Sequence, residues 1–232
     1  MGESSSCRVV AVLGMHRSGT SWLAGSLQEE GLELGAVNVR APHNEKGNRE
    51  NGELAALHGA VLRAAGGVWD APPGRVEWSD EHRAALAAFI RRMCAGFPLW
   101  GFKDPRTLLV LDEWHRQVPQ LERVGIFRHP AAVVRSLAAR SPVSERAGLR
   151  LWRAYNEQLV AEHRRSPFPI IRFDDPAALP QAVEVVARHL ELPGARDAGT
   201  FFDAGLVRQG TTETRVPRSC RNVWDYLVAN SV

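Results

Sequence analysis

The sequence predicts an α/β fold, a single domain with a central, mostly parallel sheet flanked by helices. Three observations predict it. Short, continuous apolar runs rich in β-branched residues alternate with longer stretches of helical period, the pattern of βαβ units with right-handed crossovers. The first of these runs ends at Gly14 and passes through a glycine-bounded loop directly into a helix. The chain has 232 residues, 44% hydrophobic and 24% charged, ordinary values for a globular domain. A domain of that size buries roughly three quarters of its unfolded surface.

Taken in order, Arg8 to Leu13 (RVVAVL) reads as a strand buried on both faces. Helical period runs from Thr20 to about Glu30, with Gly31 placed to cap it. Residues 35–51 form an irregular loop, and a helix follows from Glu53 to Ala65. After a second Gly/Pro-rich loop, Ser79 is an N-cap with Asp80 and Glu81 in the first turn of a helix to about Cys94. Leu99–Lys103 is a second strand, Thr107–Val118 a helix, and Arg123–Phe127 a third strand. Pro130 opens a helix to about Arg140, as proline favours the first turn. A long amphipathic helix covers Ser144–Arg164, Ile170–Phe173 is a fourth strand, and Pro176–Leu190 a further helix. Residues 1–232 form one domain, with a flexible start over 1–7 and a C-terminal segment, 199–232, that shows no clear period. Its arginines Arg215, Arg218 and Arg221 are expected to fold back over the strand ends.

Composition narrows the function classes. A net charge of +3 lacks the dense cationic stripe of a nucleic-acid binder. No apolar run approaches the ~20 residues of a spanning helix, so no membrane insertion is expected. The first strand begins so early that no room is left for a secretory leader. Three widely spaced cysteines, Cys7, Cys94 and Cys220, and eight histidines without ligand spacing predict neither a disulfide framework nor a metal site. A reducing cytoplasm is the expected location.

In open parallel sheets ligands sit beyond the carboxyl ends of the strands. Three motifs lie there: Gly14–Ser21, Lys103–Arg106 and Arg128. Gly14-Met15-His16-Arg17-Ser18-Gly19-Thr20-Ser21 joins strand to helix, so its amides and the helix dipole form an anion cradle. It nearly matches G-x-x-x-x-G-K-[ST], but Thr20 stands where an ATPase or kinase places lysine, and Arg17 supplies a cation earlier in the loop.

Arg17-Ser18-Gly19-Thr20-Ser21-Trp22 resembles the 5′-phosphosulfate loop of sulfotransferases that use 3′-phosphoadenosine 5′-phosphosulfate (PAPS), whose fold is of the P-loop type. A second stretch, Val124 to Ser136, is similar to that family's 3′-phosphate motif, with Arg128 at a strand end and Ser136 eight residues on; His129 departs from the family's usual Asp. Gly101-Phe102-Lys103-Asp104-Pro105-Arg106 resembles a Lys-Asp-Pro-Arg turn of bacterial and carbohydrate members. Asn44 to Asn51 looks like the Gly-x-x-Glu-Asn stretch of bacterial members.

The resemblance implies sulfuryl transfer from PAPS to an acceptor hydroxyl or amine, without a metal, leaving adenosine 3′,5′-bisphosphate. It places Ser18, Gly19, Thr20 and Ser21 on the 5′-phosphosulfate, Arg17 and Lys103 on the departing oxygen, Trp22 on adenine, and Arg128 and Ser136 on the 3′-phosphate. Arg215 would close over the nucleotide. Glu50 is the first candidate for the base, with Glu53 and His43 behind it; Pro105 occupies the place where cytosolic animal enzymes carry a histidine base. The acceptor pocket is expected from residues 36–51, 67–80 and 139–146, for a glycan or small metabolite, with Trp69, Trp78 and Trp100 either flat binding faces or core. The rival readings are a nucleotide-dependent phosphotransferase and a non-catalytic nucleotide-binding module.

Overall fold

The computed structural model describes residues 7–40, 47–140, 142–194 and 215–232. Four strands, β1 (Arg8–Leu13), β2 (Leu99–Lys103), β3 (Glu122–Phe127) and β4 (Ile170–Arg172), form a sheet in the order β2-β1-β3-β4, every pair parallel. β1 therefore lies between two partners and contributes to both faces of the sheet. Val9, Ala11 and Leu13 enter one core, Val10 and Val12 the other, as the two-residue side-chain period demands.

The helices are α1 (Thr20–Glu29), α2 (Gly52–Ala64), α3 (Asp80–Gly96), α4 (Leu111–Gln117), α5 (Pro130–Ala138), α6 (Glu145–Arg165), α7 (Leu179–His189) and α8 (Arg221–Ala229). The second core is closed by Leu23 and Leu27 of α1 with Val183 and Val186 of α7. On the opposite face the larger core gathers α2, α3, α4, α6 and α8 around Trp100, Trp114, Trp152 and Tyr155, all fully buried. Trp100, Trp78, Trp152 and Tyr155 are thus core residues, and of the three tryptophans considered as binding faces only Trp69 is merely half-buried. Ser79 and Ser144 cap α3 and α6 through their side chains, and Gly31 takes a φ of 99° after α1.

Three expectations need correction. The helix expected over Thr107–Val118 is split: a 3-10 turn, Pro105–Leu109, is set up by Asp104 accepting from the Arg106 amide, and Val110, with φ −132°, breaks the run before α4. The end of the chain carries α8, which the sequence reading missed. Nine residues are too few for helical period to stand out, and this helix is held by tertiary packing, chiefly Trp224 against Phe127 and His129. Residues 199–214 of the expected C-terminal segment lie outside the described residues.

The third correction concerns sulfur. Cys7 and Cys94 form a disulfide, with Cα atoms 5.5 Å apart and a sequence separation of 87, while Cys220 is buried and free. Such spacing carries no local signature; the pair meets because the end of α3 returns to the start of β1. It weighs against the reducing compartment expected from cysteine usage. Among the described residues, no helix is long and apolar enough to cross a membrane.

Denatured but unreduced protein should take up one alkyl group per chain by mass spectrometry. Reduction should lower stability by about 2–4 kcal/mol, read as a lower urea midpoint, because so long a loop is no longer closed in the unfolded chain. Uptake of three alkyl groups without reductant would contradict the pairing.

Candidate active site

β1 ends against β3 so closely that a Cβ on Gly14 would lie 2.5 Å from the Ile126 carbonyl oxygen. The chain then turns back on itself, with the Ser18 amide donating to the Met15 carbonyl at 3.2 Å. Arg17 adopts a left-handed φ of 67°, which costs a non-glycine residue energy and is the kind of strain that functional loops retain. Gly19, with φ 91°, is the N-cap of α1; a Cβ there would collide with the Phe173 ring at 2.4 Å. No side chain caps α1 and no acid lies in its first turn, so the helix presents uncompensated positive potential to the crevice. Ser18 is fully buried and its hydroxyl has no protein partner.

The second motif meets the first here. The Arg17 Nε donates to Ser136 Oγ at 2.8 Å, and Arg128 Nη1 approaches the Arg17 carbonyl at 3.5 Å. Arg128 follows β3 and Ser136 sits inside α5, so three separate segments close on one point. Burial, then the charges of Arg140 and Arg128, pull the Arg17 guanidinium down to about 10. Burial likewise lowers Arg128, opposed by Asp174. Asp174, directly after β4 and Phe173, lies 4.0 Å from Arg128 Nε and accepts from the His129 amide at 2.8 Å. The Trp152 indole donates to the Arg128 carbonyl at 2.9 Å and fixes the strand end from the core side.

The third motif brings a charge network. Lys103, almost fully buried at the end of β2, donates to Glu50 Oε1 at 2.6 Å, and Arg106 Nη2 reaches Glu50 Oε2 at 3.3 Å. Burial lowers the Lys103 ammonium, while Glu50 opposes it. Asp104 holds Arg106 through Oδ1 at 2.7 Å and meets His58 Nδ1 through Oδ2 at 2.8 Å. Burial favours the neutral acid at Asp104, but His58 and Arg106 overcome it and hold this carboxyl well below the usual range. Glu50 is placed by backbone: its carbonyl accepts from Asn38, the Arg49 amide donates to the Asn38 carbonyl, and Asn51 both caps α2 and reaches the Ala36 carbonyl.

His16 joins the two halves. Its ring lies 4.5 Å from Trp69 and 5.8 Å from Tyr155, and burial lowers it to about 3, with Asp104, Arg106, Lys103 and Arg17 all near enough to be felt. The Gly14–Ser21 loop and the end of β2 therefore lie close together.

Of the residues expected in the site, Arg17, Ser18, Gly19, Thr20, Ser21, Lys103, Arg128, Ser136 and Glu50 converge at the carboxyl edge of the sheet. Trp22 packs at its rim, 5.7 Å from Phe173. Glu53 pairs instead with Arg92 of α3 on an exposed surface, and His43 lies outside the described residues. Arg215, Arg218 and Arg221 are exposed; it is Trp224 that carries the C-terminal segment back to the end of β3. His58 and Asp174 were missed, while Arg140 falls within the 139–146 stretch expected to line the acceptor pocket. Only Asp174 had a signal, the strand-end rule applied to the fourth strand; His58 is one histidine on an amphipathic helix and looks like core. Among the described residues, no group of three or more His, Cys, Asp or Glu side chains is placed to hold a metal ion.

The parallel sheet and its glycine-bounded strand-loop-helix start define a P-loop-type α/β fold. No family model and no curated protein matches the chain in sequence. Among solved structures it is similar to the sulfotransferase domain of the Synechococcus PCC 7002 olefin synthase, with a TM-score of 0.57 at 15% identity over 98% of this chain and 96% of that one. At that identity the likeness is one of fold.

The His16 environment yields a test. An unfolded histidine binds its proton near pH 6.5, the folded one only near 3, so between these values the unfolded chain binds more protons and stability falls as pH drops. His16→Gln should lose less of its urea midpoint between pH 7 and pH 5 than the parent does. An equal loss in both would place the acid sensitivity elsewhere.

Proposed function

We propose that this protein transfers a sulfuryl group from PAPS to the hydroxyl, or amine, of a glycan or small metabolite. The observation that carries the reading is the Arg17–Ser136 hydrogen bond with Arg128 beside it. It joins the Gly14–Ser21 loop to Arg128 and Ser136, which supports reading them as the 5′-phosphosulfate and 3′-phosphate motifs of one site, and ATP has no second phosphate of that kind. The buried Ser18 hydroxyl without a protein partner, the uncapped start of α1 and the crowding of Arg17, Arg128 and Arg140 all fit an anion of high charge. The likeness to a sulfotransferase domain agrees with it.

When bound, PAPS supplies the sulfuryl group, with adenosine 3′,5′-bisphosphate as its leaving group. The amides of Gly19, Thr20 and Ser21, with the Ser18 and Thr20 hydroxyls, would hold the 5′-phosphosulfate. Arg128 and Ser136 would grip the 3′-phosphate; Ser136 accepts from Arg17 and keeps its own proton to donate. Trp22 would offer a face to adenine and Arg215 would close over it. Glu50 would take the acceptor's proton as the acceptor oxygen bonds to sulfur and the bond from sulfur to the 5′-phosphate oxygen breaks. Arg17 and Lys103 would meet the charge left on that oxygen.

A phosphotransferase would need a strand-end carboxylate for Mg²⁺. Asp104 and Asp174 are directed at His58 and Arg106, and at the His129 amide and Arg128, respectively, and Asp175 accepts from the Ala177 amide.

In a thermal-shift measurement adenosine 3′,5′-bisphosphate should raise Tm, ATP with Mg²⁺ should not, and Arg128→Ala should abolish the shift. Stabilisation by ATP alone would overturn the reading in favour of a phosphotransferase. With ³⁵S-labelled PAPS and a panel of glycosides and phenols, Glu50→Gln should lose roughly 10²–10⁴-fold in transfer while its Kd for the bisphosphate holds. Transfer at the parental rate would remove Glu50 as base.

A further inference from the structure

His58 lies in the middle of α2, fully buried, and no feature of the sequence points to it. The Trp114 indole nitrogen is 3.0 Å from His58 Nε2. An indole N–H can only donate, so Nε2 must carry the ring's lone pair and the ring proton sits on Nδ1. That proton is directed at Asp104 Oδ2, 2.8 Å away. The rest of Asp104 is spoken for: Oδ1 accepts both the Arg106 amide at 3.1 Å and Arg106 Nε at 2.7 Å. With its guanidinium so fixed, Arg106 extends Nη2 to Glu50 Oε2, while Lys103 holds Oε1.

We propose that His58, oriented by Trp114, is a positioning residue that fixes the Glu50 carboxylate through Asp104 and Arg106. The inference rests on the reading of Glu50 as the base. A second geometric fact supports it. Glu50 directly precedes Asn51, the N-cap of α2, and His58 lies two turns into the same helix. The contact between His58 and Asp104 therefore ties the helix that delivers Glu50 to the strand end that delivers Lys103. The ring is fully buried and lies edge-on to Trp78, with centroids 6.2 Å apart. Loss of the imidazole would leave a buried carboxylate oxygen unpaired, let the guanidinium swing, and misplace Glu50 by a fraction of its length, a kind of error to which proton transfer is sensitive.

The test compares His58→Leu with His58→Asn, whose amide NH₂ takes the place of Nδ1–H. Transfer is followed with ³⁵S-labelled PAPS and the acceptor that turns over fastest in the panel above. His58→Leu should lose kcat by roughly 10- to 100-fold, with KM for PAPS and Kd for adenosine 3′,5′-bisphosphate within about twofold of the parent, and His58→Asn should recover most of the loss. Unchanged kcat in His58→Leu, an equal loss of nucleotide affinity, or no recovery in His58→Asn would overturn the proposal. Should the parent chain transfer no sulfuryl group at all, the proposed function fails, and the relay is decided by ¹⁵N NMR of histidine-labelled protein, with His58→Asn assigning the signal. An Nδ1–H, Nε2-unprotonated ring supports the relay. The opposite tautomer overturns it.

Discussion

Everything at the carboxyl edge of this sheet depends on a like-charge crowd that folding tolerates. Arg17 is held beside Arg128 and Arg140 with much of its surface withdrawn from water, and its proton affinity falls in consequence. Two desolvated cations are placed together at a cost, and a fold retains such a cost where something else offsets it. Part of the offset is internal. Ser136 accepts from Arg17, Asp174 stands near Arg128, and the Phe173 ring lies 5.5 Å under the Arg128 guanidinium. Under the proposed function, a bound anion would add to that offset.

The charge at the end of β2 is solved in another way. Lys103 is one of two lysines in a chain with 29 basic residues. An ammonium is a compact point charge on a slender stem, which suits a nearly closed position beside the Glu50 carboxylate. Glu50 answers it directly, so the positive edge of the sheet divides into two halves, Lys103 with Glu50, and Arg17 with Arg128, Arg140 and the nearby Asp174. His16 lies between them, uncharged because both halves and its own burial disfavour a further proton. In the proposed transfer Glu50 of the first half would take the proton, while Lys103 and Arg17, one from each half, would meet the developing charge.

Much of this was legible in the sequence because it is written in local codes. Four apolar runs ending at Gly14, Lys103, Arg128 and Asp174 place their termini on one edge of any parallel sheet, and the glycines at 14 and 19 announce a loop that no side chain can enter. What was not legible depends on contacts remote in the chain. His58 means nothing until Asp104 and Trp114 are folded against it, α8 exists because Trp224 finds Phe127, and the Cys7–Cys94 pair forms across the whole span from β1 to α3. Short helices and long-range polar pairs leave no period to read.

Fold and site also differ in what they can be asked to carry. A chain 15% identical to its structural counterpart shares an architecture, and a P-loop-type architecture hosts many reactions. The discrimination comes from which charges stand at the strand ends. Phosphotransferases put a carboxylate there to hold a metal, and the metal then balances the phosphates. Here the strand-end carboxylates are turned inward: Asp104 toward imidazole and guanidinium, Asp174 toward a backbone amide and Arg128. Their negative charge is directed at those groups, so under the proposed function the balancing of a bound anion would fall to arginine and lysine. Under the proposed function, guanidinium and ammonium would neutralise the leaving group and a paired carboxylate would face the acceptor, a division of labour suited to displacement at sulfur.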